Sequence, residues 1–122
     1  MTLEVGEENG EVTALRQGLI ITLGHRDEKG AIMTRYMVER SLPGFSEDQL
    51  PGAAGAAKKA STEMTQEGTP VRYLRSTFVP QEEKCFCLFE GDSEEVVKTV
   101  QDRAGLPYDR IVEARFITAD EV

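Results

Sequence analysis

Two periods alternate along the chain. Residues 34–41 alternate with the period of a strand, which sets Tyr36, Val38 and Arg40 on one face and Met37 and Glu39 on the other. Leu42-Pro43-Gly44 turns the chain. Residues 46–49 read Ser-Glu-Asp-Gln, a capping box in which the serine hydroxyl and the glutamine amide satisfy each other's backbone donors. Pro51 comes five residues after the cap, too deep for an undisturbed helix. The pattern therefore predicts a short turn over 46–50 and a helix from Pro51 to about Gln66. Leu50, Ala53, Ala54, Ala57, Ala60 and Met64 form its buried stripe, and the small alanines allow close approach to a sheet. Lys58, Lys59, Glu63 and Glu67 mark its solvated side, and Gly68 ends it.

Residues 69–91 read as a hairpin. On the first strand, 71–79, regular alternation puts Val71, Tyr73, Arg75, Thr77 and Val79 on one face and Arg72, Leu74, Ser76 and Phe78 on the other. Pro70 and Pro80 bound it, where a missing N–H costs the ladder least. Gln81, Glu82 and Glu83 make the turn. The second strand, about 84–90, sets Lys84, Phe86, Leu88 and Glu90 against Cys85, Cys87 and Phe89. Apolar residues on both faces imply burial on both sides, by helices on one and another sheet on the other.

Asp92-Ser-Glu-Glu95 caps a second helix, about 93–104, with Val96, Val97, Val100 and Ala104 as its core stripe and Gly105 and Pro107 as its stop. The last strand is predicted over 111–117. The order from residue 33 is strand, helix, strand, strand, helix, strand, so the predicted fold class is α+β, a ferredoxin-like βαββαβ antiparallel sheet with both helices on one face. The other face is bare and needs a cover. A second copy supplies one, which predicts a homodimeric α/β barrel. Residues 1–32 are set apart as an N-terminal extension, an added strand or arm, from the domain at 33–122. Residues 1–11 are acidic and expected to fray, 19–23 (Leu-Ile-Ile-Thr-Leu) predict an extra strand, and 24–30 a turn carrying His25.

Composition narrows the function. The 122 residues make one domain with its own core. A net charge of −8 argues against nucleic acid or an anionic membrane as partner. No run is long and apolar enough to span a bilayer, and Glu4, Glu7 and Glu8 do not fit a secretory n-region, so a cytoplasmic location is expected. The two cysteines share a strand face at a spacing that strains a disulfide, which makes them thiols of a reducing compartment. With His25 the sole histidine, His-rich metal sites and Ser–His–Asp catalysis are not expected.

Cys85 and Cys87 could offer two thiolates to nickel or zinc, half of a tetrahedral set. The bland alternative, two buried strand cysteines, is the commoner case. Glu39, on a central strand, needs a partner for its charge; Arg72, Arg75 and Arg115 are the candidates, and the choice is between an interface ion pair and a ligand or base. Tyr73 and Ser76 differ by three and fall on opposite faces unless a bulge intervenes. Met33, Met37 and Met64 read as core or interface.

Four segments carry a family resemblance: Tyr-Met-Val-Glu-Arg-Ser-Leu-Pro-Gly (36–44), Val-Arg-Tyr-Leu-Arg-Ser-Thr-Phe-Val (71–79), Lys-Cys-Phe-Cys-Leu-Phe-Glu (84–90) and Ala-Gly-Leu-Pro (104–107). In this order and spacing they resemble a small bacterial family of ferredoxin-like dimeric-barrel domains, mostly of unknown function, that includes a nickel-binding protein. The resemblance covers about 33–117. It implies a homodimer and binding of nickel or another divalent transition metal. It places Cys87 at the family's cysteine, Lys84 three residues before it, Tyr73 at an aromatic position, Ser76 at a serine and Glu39 in the Val-Glu-Arg motif. Relatives carry a histidine in the second helix where Val100 stands here, which counts against metal binding. The candidate metal ligands are thus Cys85, Cys87 and Glu39, with Tyr73, Lys84 and Ser76 as further pocket residues. The rival reading is a cofactor-free enzyme, monooxygenase- or isomerase-like, with Glu39 or Tyr73 as acid–base group.

Overall fold

The computed structural model describes residues 4–8, 11–16, 18–26, 32–115 and 117–122. An antiparallel meander of β1 (Glu4–Glu8), β2 (Glu11–Arg16) and β3 (Leu19–Arg26) leads into β4 (Ile32–Ser41). Then come α1 (Leu50–Gln66), β5 (Val71–Val79), β6 (Lys84–Gly91), α2 (Glu94–Ala104) and β7 (Arg110–Glu113). From β4 onward this is the predicted βαββαβ order. β4 is central: β6 pairs with it along one edge, and the other edge is shared by β3 at Ile32–Thr34 and β7 at Tyr36–Glu39. β5 pairs outside β6, and all pairings are antiparallel. The fold is α+β and ferredoxin-like.

Local chemistry explains the helix ends. The Ser46 backbone N–H donates to Gln49 Oε1 at 2.9 Å, and a 3-10 turn at Glu47–Gln49 precedes α1. Pro51 sits in the first turn of α1, where its missing N–H is not needed. Ser93 caps α2 by accepting from the Val96 N–H, and Glu94 and Glu95 suit the positive end of the helix dipole. Gly105, at φ 70°, ends α2 in the left-handed conformation, and the Leu106 N–H returns to the Gln101 carbonyl at 3.0 Å.

Alternation assigns the faces. Val38 of β4, Cys85, Cys87 and Phe89 of β6 and Val71 of β5 pack against Ala57, Ala60 and Met64 of α1 and Val97 and Val100 of α2. Val38, Phe89, Val97 and Val100 are fully buried, each worth about 1.5–3 kcal/mol relative to exposure. Met33 and Met64 are core, as expected.

Three expectations change. Within residues 1–11, expected to fray, 4–8 form a strand paired with 11–16, and this second strand buries Val12 and Ala14. His25 belongs to β3, opposite Glu11 and Met33, rather than to a turn; its side chain and residues 27–31 lie outside the described set. The last strand stops at Glu113, because β7 follows β4 only to Tyr36 before a single bond from the Ala114 N–H to the Arg35 carbonyl.

The face away from the helices holds an ion-pair chain. Arg35 Nε donates to Glu90 Oε1 at 2.9 Å and Arg35 Nη2 to Glu11 Oε1 at 3.1 Å. Glu90 is 1% exposed, so a charge otherwise costly to bury is held by its partner. The pair joins the N-terminal meander to the two central strands.

Gly91 closes β6 where it passes α2. A Cβ there would lie 3.2 Å from Val97 Cγ2 and 3.5 Å from Val71 Cγ2. Gly91→Ala is expected to destabilise the fold by about 1–3 kcal/mol through overpacking, read as a lower urea midpoint at unchanged slope; an unchanged midpoint would refute the tight contact.

Candidate functional site: a thiol-lined pocket under the first helix

A cavity of about 210 Å³ lies between α1 and the sheet. Arg40, Tyr73, Ser76, Cys85 and Cys87 form its polar and sulfur-bearing wall, and α1 with Leu42 and Leu106 its apolar wall. Arg40 and Cys85 are cross-strand partners, and Val38 faces Cys87, so the alternation of β4 and β6 delivers these groups together.

β5 adds Tyr73 and Ser76 through a bulge. Tyr73 pairs with Phe89 but Arg75 with Leu88, leaving Leu74 as the extra residue. The slip returns Ser76 to the face of Tyr73, and the two hydroxyls meet at 2.6 Å. Ser76 donates to Cys87 Sγ at 2.9 Å. Its one proton being used, the Tyr73 hydroxyl is the donor to Ser76. The face assignment from regular alternation therefore fails past residue 73. Arg72 shares the outer face with Arg75, Thr77 and Val79, and Val71 and Tyr73 share the inner one with Ser76 and Phe78.

The sulfurs are 3.7 Å apart and free. That is far beyond a disulfide bond. Burial pushes the Cys85 thiol up to about 11, with the neighbouring Cys87 adding to the shift, so Cys85 is neutral at pH 7. Burial likewise raises the Tyr73 hydroxyl above its ordinary value, offset in part by the bond to Ser76.

Glu39 and Lys84 stand elsewhere. Both belong to the opposite face of the sheet, where Lys84 Nζ donates to Glu39 Oε1 at 3.1 Å and Arg110 Nε to Glu39 Oε2 at 2.6 Å. The partners of Glu39 are thus Arg110 and Lys84 rather than Arg72, Arg75 or Arg115; Arg115 pairs with Glu113. The six candidates divide into a pocket group (Cys85, Cys87, Tyr73, Ser76) and an outer ion-pair cluster (Glu39, Lys84). Among the described residues no group of three or more His, Cys, Asp or Glu is placed to hold a metal.

Sequence reasoning passed over Arg40. It is 2% exposed; Nη2 donates to Gln101 Oε1 at 2.7 Å and Nη1 to the Pro107 carbonyl at 2.9 Å. Its phase with Val38 was the available signal, since a strand that buries Val38 under the helices buries Arg40 too.

Fold and pocket together define a ferredoxin-like α+β domain with a thiol-bearing cavity between helix and sheet. Residues 36–114 match the family described as nickel responsive protein SCO4226-like, and the chain belongs to that family. It is also similar to the crystal structure of SCO4226 from Streptomyces coelicolor A3(2), with a TM-score of 0.58 and 28% identity over 66% of this chain and 94% of that one. No curated protein matches the sequence.

The hydrogen bonds from Arg110 and Lys84 hold the Glu39 carboxyl below its ordinary value of 4.5. A carboxylate so lowered stabilises the fold above the unfolded-state value and loses that contribution as pH falls through the folded-state one. Glu39→Gln is therefore expected to lower the urea midpoint at pH 7 and to converge on the wild type in acid, as pH falls through the lowered folded-state value. A gap of constant size across that range would refute the assignment.

Proposed function

We propose that the protein binds a divalent transition metal, nickel foremost, with Cys85 and Cys87 as paired ligands in the pocket under α1. The observation that carries this reading is the 3.7 Å separation of the two sulfurs. Two thiolates at about 2.3 Å from a tetrahedral ion stand about 3.8 Å apart, so the pair suits one metal without rearranging the strand. The family's description as nickel responsive supports the choice of metal, and soft thiolate donors are compatible with a borderline divalent ion. The metal would supply the charge that keeps both sulfurs deprotonated. Glu39 is on the other face and does not complete the set; the Ser76 and Tyr73 oxygens or water would.

We also propose a homodimer through the face away from the helices. Met37, Phe86, Leu88 and Val112 are half-buried there in a single chain. A copy on that face covers them but does not reach the cysteines. In this reading residues 1–32 are an extension of a family domain at 33–122. Two free thiols support a cytoplasmic location; no described helix is long and apolar enough to cross a membrane. The acidic charge of −8 supports a role without nucleic acid. The cavity itself favours the second reading, a cofactor-free enzyme, but of its two acid–base candidates only Tyr73 lines the pocket, with Glu39 on the other face.

Nickel uptake by chelator-treated protein, followed by equilibrium dialysis and elemental analysis, tests the site. Uptake is expected in the wild type, to strengthen with pH because the thiols must release protons, and to be lost in the Cys85→Ser/Cys87→Ser double variant. No uptake by the wild type sinks the metal reading, and equal uptake by the variant removes the cysteines from it.

Light scattering tests the dimer. The wild type is expected at twice the chain mass and Leu88→Asp at the chain mass, each with unchanged circular dichroism; a monomeric wild type refutes the assembly.

A further inference from the structure

Among the described residues, one positive charge in the pocket has no counter-charge. A guanidinium stays protonated in a protein, and Arg40 is 2% exposed. Both of its side-chain hydrogen bonds go to neutral oxygens, the Gln101 amide and the Pro107 carbonyl. Two of its five N–H donors are thus taken. None of the ion pairs among the described residues includes it: Glu39 pairs with Lys84 and Arg110 on the far face, and Glu90 with Arg35. The groups beside it are the thiols and hydroxyls of Cys85, Cys87, Tyr73 and Ser76. A buried charge without a counter-charge is costly, and here it borders a cavity rather than packed side chains.

We propose that this cavity is a binding site for a small monocarboxylate, with Arg40 as the group that takes the carboxylate. Four features select that class. The excess is a single positive charge, which a monoanion cancels and a phosphate dianion overshoots. The wall opposite Arg40 is apolar, built by Leu50, Ala53, Ala54 and Ala57 of α1 with Leu106, and it suits a short hydrocarbon or aromatic body better than a fully hydrated oxyanion. The volume of about 210 Å³ equals roughly seven waters at about 30 Å³ each, enough for a small organic acid. The planar fork of the guanidinium matches a carboxylate in shape.

The inference does not rest on the metal. Arg40 borders the cavity as a fixed +1 whether or not a metal is bound. With a dication and two thiolates the sum is again +1. In both states one carboxylate brings the pocket to neutrality.

The test uses the metal-free full-length chain, titrated with butyrate and benzoate and with their uncharged amides, butyramide and benzamide, by calorimetry and by amide chemical shifts. Inorganic phosphate is titrated in parallel. The carboxylates are expected to saturate and to bind at least tenfold tighter than the amides, with shifts centred on β4, β6 and α1. Arg40→Met is expected to lose at least tenfold in carboxylate affinity. Because Arg40 is buried, that variant risks failing to fold; Ala54→Leu, which fills the cavity from a half-exposed helix position, is the second arm and is expected to fold and to lose binding. Absence of saturation, equal affinity for the amides, a preference for phosphate, or wild-type affinity in Ala54→Leu each overturns the proposal. Failure of the nickel reading shows separately, in the dialysis of the metal-loaded protein.

Discussion

A cation fixed inside the core is the constraint around which this domain is arranged. Arg40 sits on the central strand, and its two hydrogen bonds reach the last turn of α2 and the connection to β7. Those bonds tie the middle of the sheet to the segment that brings the chain back to it. They also keep the guanidinium at one end of a space that α1 does not fill. The alanines of α1 face the sheet, yet they carry too little volume to occupy the gap above the cysteines. A packed hydrophobic domain therefore contains a polar corner, and its polarity comes from a group that does not lose its charge at any working pH.

The bulge in β5 finishes that corner. Without it, Tyr73 and Ser76 would point to opposite sides of the sheet; with it, a tyrosine hydroxyl, a serine hydroxyl and a thiol form a directed chain of donors ending on Cys87. The sulfur that receives the chain is the one opposite Val38, and the other sulfur lies opposite Arg40. Two thiols two residues apart on one strand thus meet different electrostatic surroundings, one at the end of a hydroxyl relay and one beside a cation.

How much of this could be read from the residues depends on how local each signal is. The short turn before α1 was legible because Pro51 and the Ser46–Gln49 box act within one helical turn. The faces of β6 were legible because its alternation is unbroken. The faces of β5 were not, because Leu74 is an ordinary strand residue and nothing in its neighbours marks the extra position. The partners of Glu39 were missed for a different reason: Lys84 and Arg110 are 45 and 71 residues away and arrive through strand pairing. Arg40 was missed because arginine is usually at the surface, although its phase with Val38 placed it inside. The acidic first strands show the same bias in reverse, composition suggesting disorder where the meander supplies pairing.

The bulge has a second effect, on the rim of the sheet. β5 is the outermost strand on its side, and the described residues pair with it only through β6. An outer strand offers unpaired backbone groups to any extended chain that meets it. Here the extra residue at Leu74 breaks the regular row of donors and acceptors, Pro70 and Pro80 bracket the strand, and Arg72 and Arg75 add charge along it. On the opposite rim, β1, Glu7 is exposed. The same irregularity that builds the pocket thus makes the strand a poor template for cross-β growth.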